Sequence, residues 1–240
     1  MKNKSKIKKS LETHVSNLIL IIIVCGMFFL AFTSNIKTVF NAEKIEAIYR
    51  GNINNNNKIS LMINVYWGTE FIEPILEVLK EENIKVTFFV GGTWVAQNNE
   101  LLEKMHNEGH EIGNHGYYHK DHKLLTSERN QEEIFITHKL VKEIIGVDMK
   151  LFAPPSGSYN QTTLQIANNL GYKTIMWSKD TIDWRDKDSE LCYSRATKNA
   201  KSGELILMHP TEHTLKALPN IINYYKENNF TITTVSDNIS

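Results

Sequence analysis

Cysteine is scarce, with two in 240 residues. Cys25 lies in an apolar N-terminal stretch and Cys192 far downstream, so no disulfide framework is expected. Net charge is absent too, with 27 basic against 27 acidic side chains. Without a basic excess, no nucleic-acid partner is expected. A full-length membrane-spanning run is also missing. The main apolar stretch, LILIIIVCGMFFLAF from Leu18 to Phe32, falls short of the roughly 20 residues a span needs. Val15 and Thr33 extend it at modest cost. Nor does a cleavage site with small residues at both key positions follow Phe32. The opening MKNKSKIKKS carries five lysines and no acid. A basic flank before an apolar run reads as an uncleaved anchor, or else as an export signal. The lysine-rich side then stays in the cytoplasm and the rest lies outside. The expectation is a single-pass protein of the cell membrane, secreted if the signal is cut.

What is present has a rhythm. Residues 1–33 form the tail and anchor, and 34–57, with the asparagine-rich GNINNNN, read as a linker. From residue 58 onward, short apolar or β-rich runs alternate with helical periodicities. The strands fall at 59–65, 85–90, 111–114, 151–153, 173–177, 204–208 and 231–235. Helices fit 72–79, 97–108, 127–145, 160–170, 188–200 and 213–227, three of them stopped by Gly109, Gly146 and Gly171. About seven such alternations predict parallel strands with crossover helices. Polar residues gather after strand ends: Asn64, His115, Asp180 and His209. One rim collects them best if the fold is an α/β barrel, distorted and with about seven parallel strands.

Several stretches carry chemistry. EIGNHGYYHKDH (111–122) sets His115 and His119 four apart, just past a strand. Neutral imidazoles suit zinc and similar divalent metals. His122 reads as a solvated loop residue, and His106, His110 and His138 as structural side chains. ILMHP (206–210) puts His209 at a strand end, where it could cap the strand or act as an acid. SKDTIDW (178–184) brings Asp180, Asp183 and Trp184; a carboxylate on a histidine's second nitrogen orients it. FAPPSGSYN (152–160) is a turn stiffened by Pro154 and Pro155, with Gly157 for unusual dihedrals.

Taken in order, TFFVGGTWV, EIGNHGYYH, FAPPSGSYN, DTIDW and LILMHP resemble the polysaccharide deacetylases with a NodB-type domain. The likeness runs from about Ile59 to the C-terminus, nearest a sporulation-associated subgroup whose first motif reads like NVYWG. It implies a distorted β/α barrel at 58–240 that removes acetyl groups from chitin-like polymers or peptidoglycan. It implies a divalent metal, zinc first, on His115 and His119; His209 as acid, with Asp183 supporting it; and Trp184, Tyr66 and Pro155 near the glycan. A third metal ligand and a base are implied as aspartates of a T-F-D-D-G motif, and an arginine would tether the base.

Those last parts are absent. The first motif here is INVYWG, without an acid. Aligned on the strand, Asn64 and Val65 stand at the two acid positions; aligned on Gly68, Tyr66 and Trp67 do. The arginine position holds Ala153. A guanidinium without its carboxylate would be a buried unpaired charge, so the two losses belong together. Asn64, Asp121 and Asp180 are the available substitutes. Two functions stay open: a membrane-anchored deacetylase with an unorthodox site, or an impaired relative that binds glycan or an envelope partner.

Overall fold

The computed structural model describes residues 14–30, 45–54 and 57–240. These form two units, divided after Lys44. In the first, residues 14–30 form a helix, α1, with exposed apolar side chains. Among the described residues no helix is long and apolar enough to cross a membrane.

The second unit is a parallel sheet curled into a partial barrel and wrapped by helices. Its strands are β1 (Lys58–Val65), β2 (Thr87–Val90), β3 (Glu111–Asn114), β4 (Leu151–Phe152), β5 (Lys173–Thr174), β6 (Lys179–Asp180), β7 (Leu205–Met208) and β8 (Thr231–Ile232). The order across the sheet is β5-β4-β3-β2-β1-β7-β6, with β8 beside the start of β1. Between strands run α2 (Ile72–Glu81), α3 (Gly92–Val95), α4 (Asn99–Asn107), α5 (Ser127–Ile145), α6 (Gln161–Asn169), α7 (Asp183–Asp186), α8 (Ser189–Thr197) and α9 (Glu212–Glu227), and α10 (Val235–Ile239) follows β8.

The expected distorted barrel is thus what the chain builds. Side-chain alternation explains its two apolar layers. Along β1, Ile59, Leu61, Ile63 and Val65 join the cluster under the helices, whereas Met62 joins Phe89, Leu151, Ala153, Ile175, Leu205 and Leu207 inside the barrel. Gly113 makes room for this filling: a Cβ there would lie 2.5 Å from Phe89 Cδ1.

Three expectations are corrected. Of the 34–57 segment read as linker, 34–44, 55 and 56 lie outside the described residues, and 45–54 bridges the sheet: Ile48 pairs with Ile175, Arg50 with Glu204, and Gly51 N–H donates to Gly203 O at 2.7 Å. The 45–54 segment therefore spans the gap between the β5 and β7 sides, and the domain begins at Ile45. Its polarity hid this, because only Ile48 supplies apolar filling. The 173–177 strand is regular only through Thr174, and the 231–235 strand gives way to α10, whose N-cap is Thr234. His122, expected in solvent, is fully buried: its Nδ1 lies 2.7 Å from Asn130 Oδ1 and its ring packs on Phe152.

Candidate active site

At the C-terminal ends of the strands lies a cavity of about 470 Å³. Asn64, Tyr66, His115, His119, Trp184 and His209, all anticipated from sequence, line it, with Trp67 and Asp180. Parity places them. On β1 the even positions face the barrel interior, so Asn64 points inward above Met62, while Val65 joins the helix-side core. Asn64 Oδ1 is buried without a hydrogen-bond partner. Of the two alignments, the one on Gly68 matches the cavity, because Tyr66 and Trp67 both line it and Val65 does not. Along β7, Leu205 and Leu207 face inward, and His209 follows in the same phase.

The acid half is tightly built. Asp183 is buried, and its carboxylate accepts four hydrogen bonds. His209 Nδ1 lies 2.9 Å from Oδ1, the His209 backbone N–H donates to Oδ2 at 2.6 Å, and Thr214 Oγ1 also donates to Oδ2. Trp184 N–H donates to Oδ1 at 2.9 Å. Burial pushes the Asp183 carboxyl up, but the bond from the His209 ring and the other donors outweigh it and hold it below its usual range. A carboxylate there fixes the imidazole with Nδ1 protonated and leaves Nε2 as the free ring nitrogen. Asp180 serves the turn before it, accepting the Ile182 N–H at 2.8 Å.

The histidine pair is built differently. The His115 Nδ1 lies 2.7 Å from the Ala153 carbonyl, so its N–H donates there and Nε2 keeps the lone pair. Ala153, the vacant arginine position, therefore serves through its backbone. Burial, and then the neighbouring His119, drive the His115 pKa well below 6.5, so the ring is neutral. His119 sits at φ 54, a left-handed conformation held by the loop. Glu133 fastens that loop: its buried Oε2 accepts the Tyr117 and Tyr118 N–H groups at 2.8 and 2.7 Å.

Aromatic rings occupy the first-motif side. Tyr66 stacks on His119 with centroids 4.7 Å apart, and Trp67 on His209 at 5.8 Å and 7° between planes. Glycines permit this. A Cβ on Gly91 would come within 2.7 Å of Tyr66 Cδ2, and one on Gly68 within 2.1 Å of the Pro210 carbonyl oxygen. Gly68 (φ 75) thus lets the Tyr66–Trp67 turn close over the strand end that carries His209.

The donors do not fit a three-ligand metal centre. Among the described residues no group of three or more His, Cys, Asp or Glu side chains converges. Asp121 is turned away and accepts the Ser158 hydroxyl, and Asp121 does not line the cavity. Two imidazoles alone fall short of the three protein ligands of catalytic zinc sites. Pro155, expected against the glycan, is buried and does not line the cavity, whereas its neighbour Ser156 does. Trp177 also lines it and was not singled out from sequence; its place at the end of the expected 173–177 strand was the available signal.

The polysaccharide deacetylase family model matches residues 51–175. This chain belongs to that family. It is 30% identical over 200 residues to the peptidoglycan-N-acetylmuramic acid deacetylase PdaA of Bacillus subtilis, covering 81% of this chain and 76% of PdaA. An uncharacterized Bacillus subtilis protein, YlxY, is 37% identical over 85% of this chain, which spans 64% of YlxY. Among solved structures, BA3943 from Bacillus anthracis, a pseudoenzyme of carbohydrate esterase family 4, superposes with a TM-score of 0.79. It is 34% identical over 82% of this chain and 69% of its own. The polysaccharide deacetylase fold thus carries both working enzymes and a pseudoenzyme among the relatives of this chain.

Proposed function

We propose that this protein is a catalytically impaired polysaccharide deacetylase homologue that binds N-acetylated glycan, peptidoglycan first, in the cavity around His115, His119 and His209. One observation carries the reading. Aligned on Gly68, Tyr66 and Trp67 take the positions of the family's two aspartates, and their rings lie against His119 and His209. Neither supplies the carboxylate that takes a proton from water or completes the metal site in that motif. Loss of a general base alone typically costs about 10²–10⁴-fold in rate. The pseudoenzyme BA3943, for which a mutant with restored enzymatic activity also exists, supports the same reading.

The cavity retains what sugar binding needs. Aromatic faces at Tyr66, Trp67, Trp177 and Trp184 offer apolar platforms, with imidazole and amide groups between them. The domain then works outside the cytoplasm, in the envelope. The lysine-rich N-terminus before an apolar helix supports that orientation. The first-motif likeness supports a spore setting.

A second reading, slow hydrolysis, is favoured by the intact Asp183–His209 pair. Acetate release and equilibrium binding separate the two. The full chain, in detergent, is incubated with peptidoglycan fragments and N-acetylglucosamine oligomers, with and without added zinc. The expected outcome is binding without acetate release. Release that zinc stimulates and His209→Ala abolishes would establish the hydrolytic reading instead.

A further inference from the structure

A separate pocket lies at the opposite mouth of the barrel, where β4 and β5 begin. It measures about 310 Å³, and Lys150, Leu151, Lys173, Ser236, Ile239 and Ser240 line it. We propose that this pocket binds a phosphate monoester carried on a short, hydroxyl-bearing carbon backbone. The inference stands apart from the glycan reading, because none of these residues lines the cavity around His115 and His209.

Strand pairing puts a cation on a face that is otherwise apolar. Lys173 opens β5 in register with Leu151, and residues paired in register share one face of the sheet. Leu151 faces the barrel interior, and so does Ile175, two residues after Lys173. Lys173 thus starts an inward-facing row and meets solvent at the barrel mouth. Its N–H donates to the Lys150 carbonyl at 2.9 Å, which sets the two lysines at neighbouring strand starts. No carboxylate side chain lines the pocket. Among the described residues neither lysine forms an ion pair. Carboxylates of the adjoining elements are engaged elsewhere. Asp148 is held by Lys142 at 2.8 Å and lies 3.3 Å from His138 Nε2, with Lys150 the last of its cationic influences. Glu111 accepts the Thr87 hydroxyl at 2.6 Å and the Ser236 N–H at 3.2 Å, and Asp237 accepts the Thr233 hydroxyl at 2.7 Å.

The lining specifies the occupant. Two ammonium groups without a protein counter-ion attract an anion, and lysine binds phosphate as a point charge. A phosphate monoester carries close to two negative charges at neutral pH and three acceptor oxygens, which matches two lysines better than a singly charged carboxylate does. The Ser236 hydroxyl has no partner among the described residues and can donate to a ligand oxygen. The Ser240 hydroxyl is already given to the Asp237 carbonyl at 2.9 Å, so its oxygen is left to accept a hydroxyl from the ligand. Leu151 and Ile239, both packed on the interior cluster, form an apolar wall for the carbon backbone. A bare inorganic anion would leave that wall and the Ser240 acceptor unused.

The test titrates the full chain, in a neutral detergent, with glycerol 3-phosphate, inorganic phosphate and glycerol. Wild type, Lys150→Ala and Lys173→Ala are compared, with thermal unfolding as the check that each variant folds. Both lysines are exposed, so their truncation leaves the core intact. The expected Kd for glycerol 3-phosphate is on the order of 1 mM, as for an open site with exposed cations. Inorganic phosphate should bind about fivefold more weakly, and glycerol not at all. Each lysine variant should weaken glycerol 3-phosphate binding about 3- to 10-fold, the loss of one charge-assisted hydrogen bond. No saturable binding of glycerol 3-phosphate overturns the site, as does binding that both variants leave unchanged or that glycerol matches. Inorganic phosphate bound as tightly as the ester overturns the organic ligand. None of these results bears on peptidoglycan binding, which the acetate-release and binding experiments decide separately.

Discussion

The two halves of the cavity hold their groups in opposite ways. On the β7 side, a buried carboxylate is surrounded by donors from His209, Thr214 and Trp184. On the β1 side there is no carboxylate, and rings do the packing: Tyr66 on His119, Trp67 on His209. The first half depends on charge-assisted hydrogen bonds that are costly to leave half made. The second depends on aromatic contact, worth about 0.5–1.5 kcal/mol per pair beyond area burial. That difference explains how one half could lose its ionic chemistry and the other could not. Exchanging acid and arginine for Tyr66, Trp67 and Ala153 leaves no charge stranded. Exchanging Asp183 alone would strand several donors.

The sharpest way to break the comparison is therefore Asp183→Ala. It leaves the His209 ring and backbone N–H groups and the Thr214 hydroxyl without their acceptor. A stability loss of about 3 kcal/mol is expected by denaturant unfolding. A loss below about 1 kcal/mol would show that the pair is a catalytic remnant without structural weight.

Acid provides the next test. His110 is buried, and burial followed by the nearby Lys85 lowers its pKa to about 4. His115, His119 and His122 are lowered too, each chiefly by burial. Between pH 6.5 and 4 the unfolded chain binds more protons at these residues than the folded one, so stability is lost as the pH drops through that window. The His110 contribution alone is about 2 kcal/mol. Asp183 acts in a different window: its folded pKa lies below the usual carboxylate value, so its contribution is lost only below about pH 4. Unfolding free energies at pH 7 and 4.5 should differ, and His110→Gln should reduce the difference. A flat profile would contradict burial of neutral imidazoles.

Trp67→Ala probes the aromatic half directly. Glycan affinity should fall about tenfold, as for an exposed aromatic anchor, while stability changes by less than about 1.5 kcal/mol. Binding unaffected by this change would move the glycan site away from the Tyr66–Trp67 turn.

Much of the barrel and most of the site could be read from residues, for physical reasons. Apolar runs such as ISLMINV and ELILM encode a buried strand whatever surrounds them, and the residue after each run falls at the rim. His115 and His209 could be located that way, His119 by its spacing from His115, and Trp184 through the DTIDW motif. Residues whose roles depend on long-range contacts could not. Ile48 closes the barrel from within a polar segment, and Tyr49 hydroxyl meets Tyr159 hydroxyl 110 residues away. His122 looked solvated because its neighbours Asp121 and Lys123 are polar, yet Asn130 and Phe152 enclose it. Pro155 was expected near the glycan, but which residue of its turn faces the cavity depends on the left-handed Ser156 (φ 55), which residue type does not encode. Sequence also left two alignments of INVYWG, and the cavity lining favours the one on Gly68.

The smallest expected effect tests whether the β1 half has any hidden acid. Asp121 stands two residues past His119 and is the carboxylate nearest to it in the chain. In the structure it is engaged with the Ser158 hydroxyl and lies outside the cavity lining. Asp121→Ala should therefore leave zinc affinity unchanged within about twofold and cost no more than about 0.5 kcal/mol, as for an exposed polar contact. A clear drop in zinc affinity would mean that the loop swings Asp121 onto His115 and His119 when metal arrives. The β1 half would then be a metal site with a relocated ligand rather than an aromatic wall.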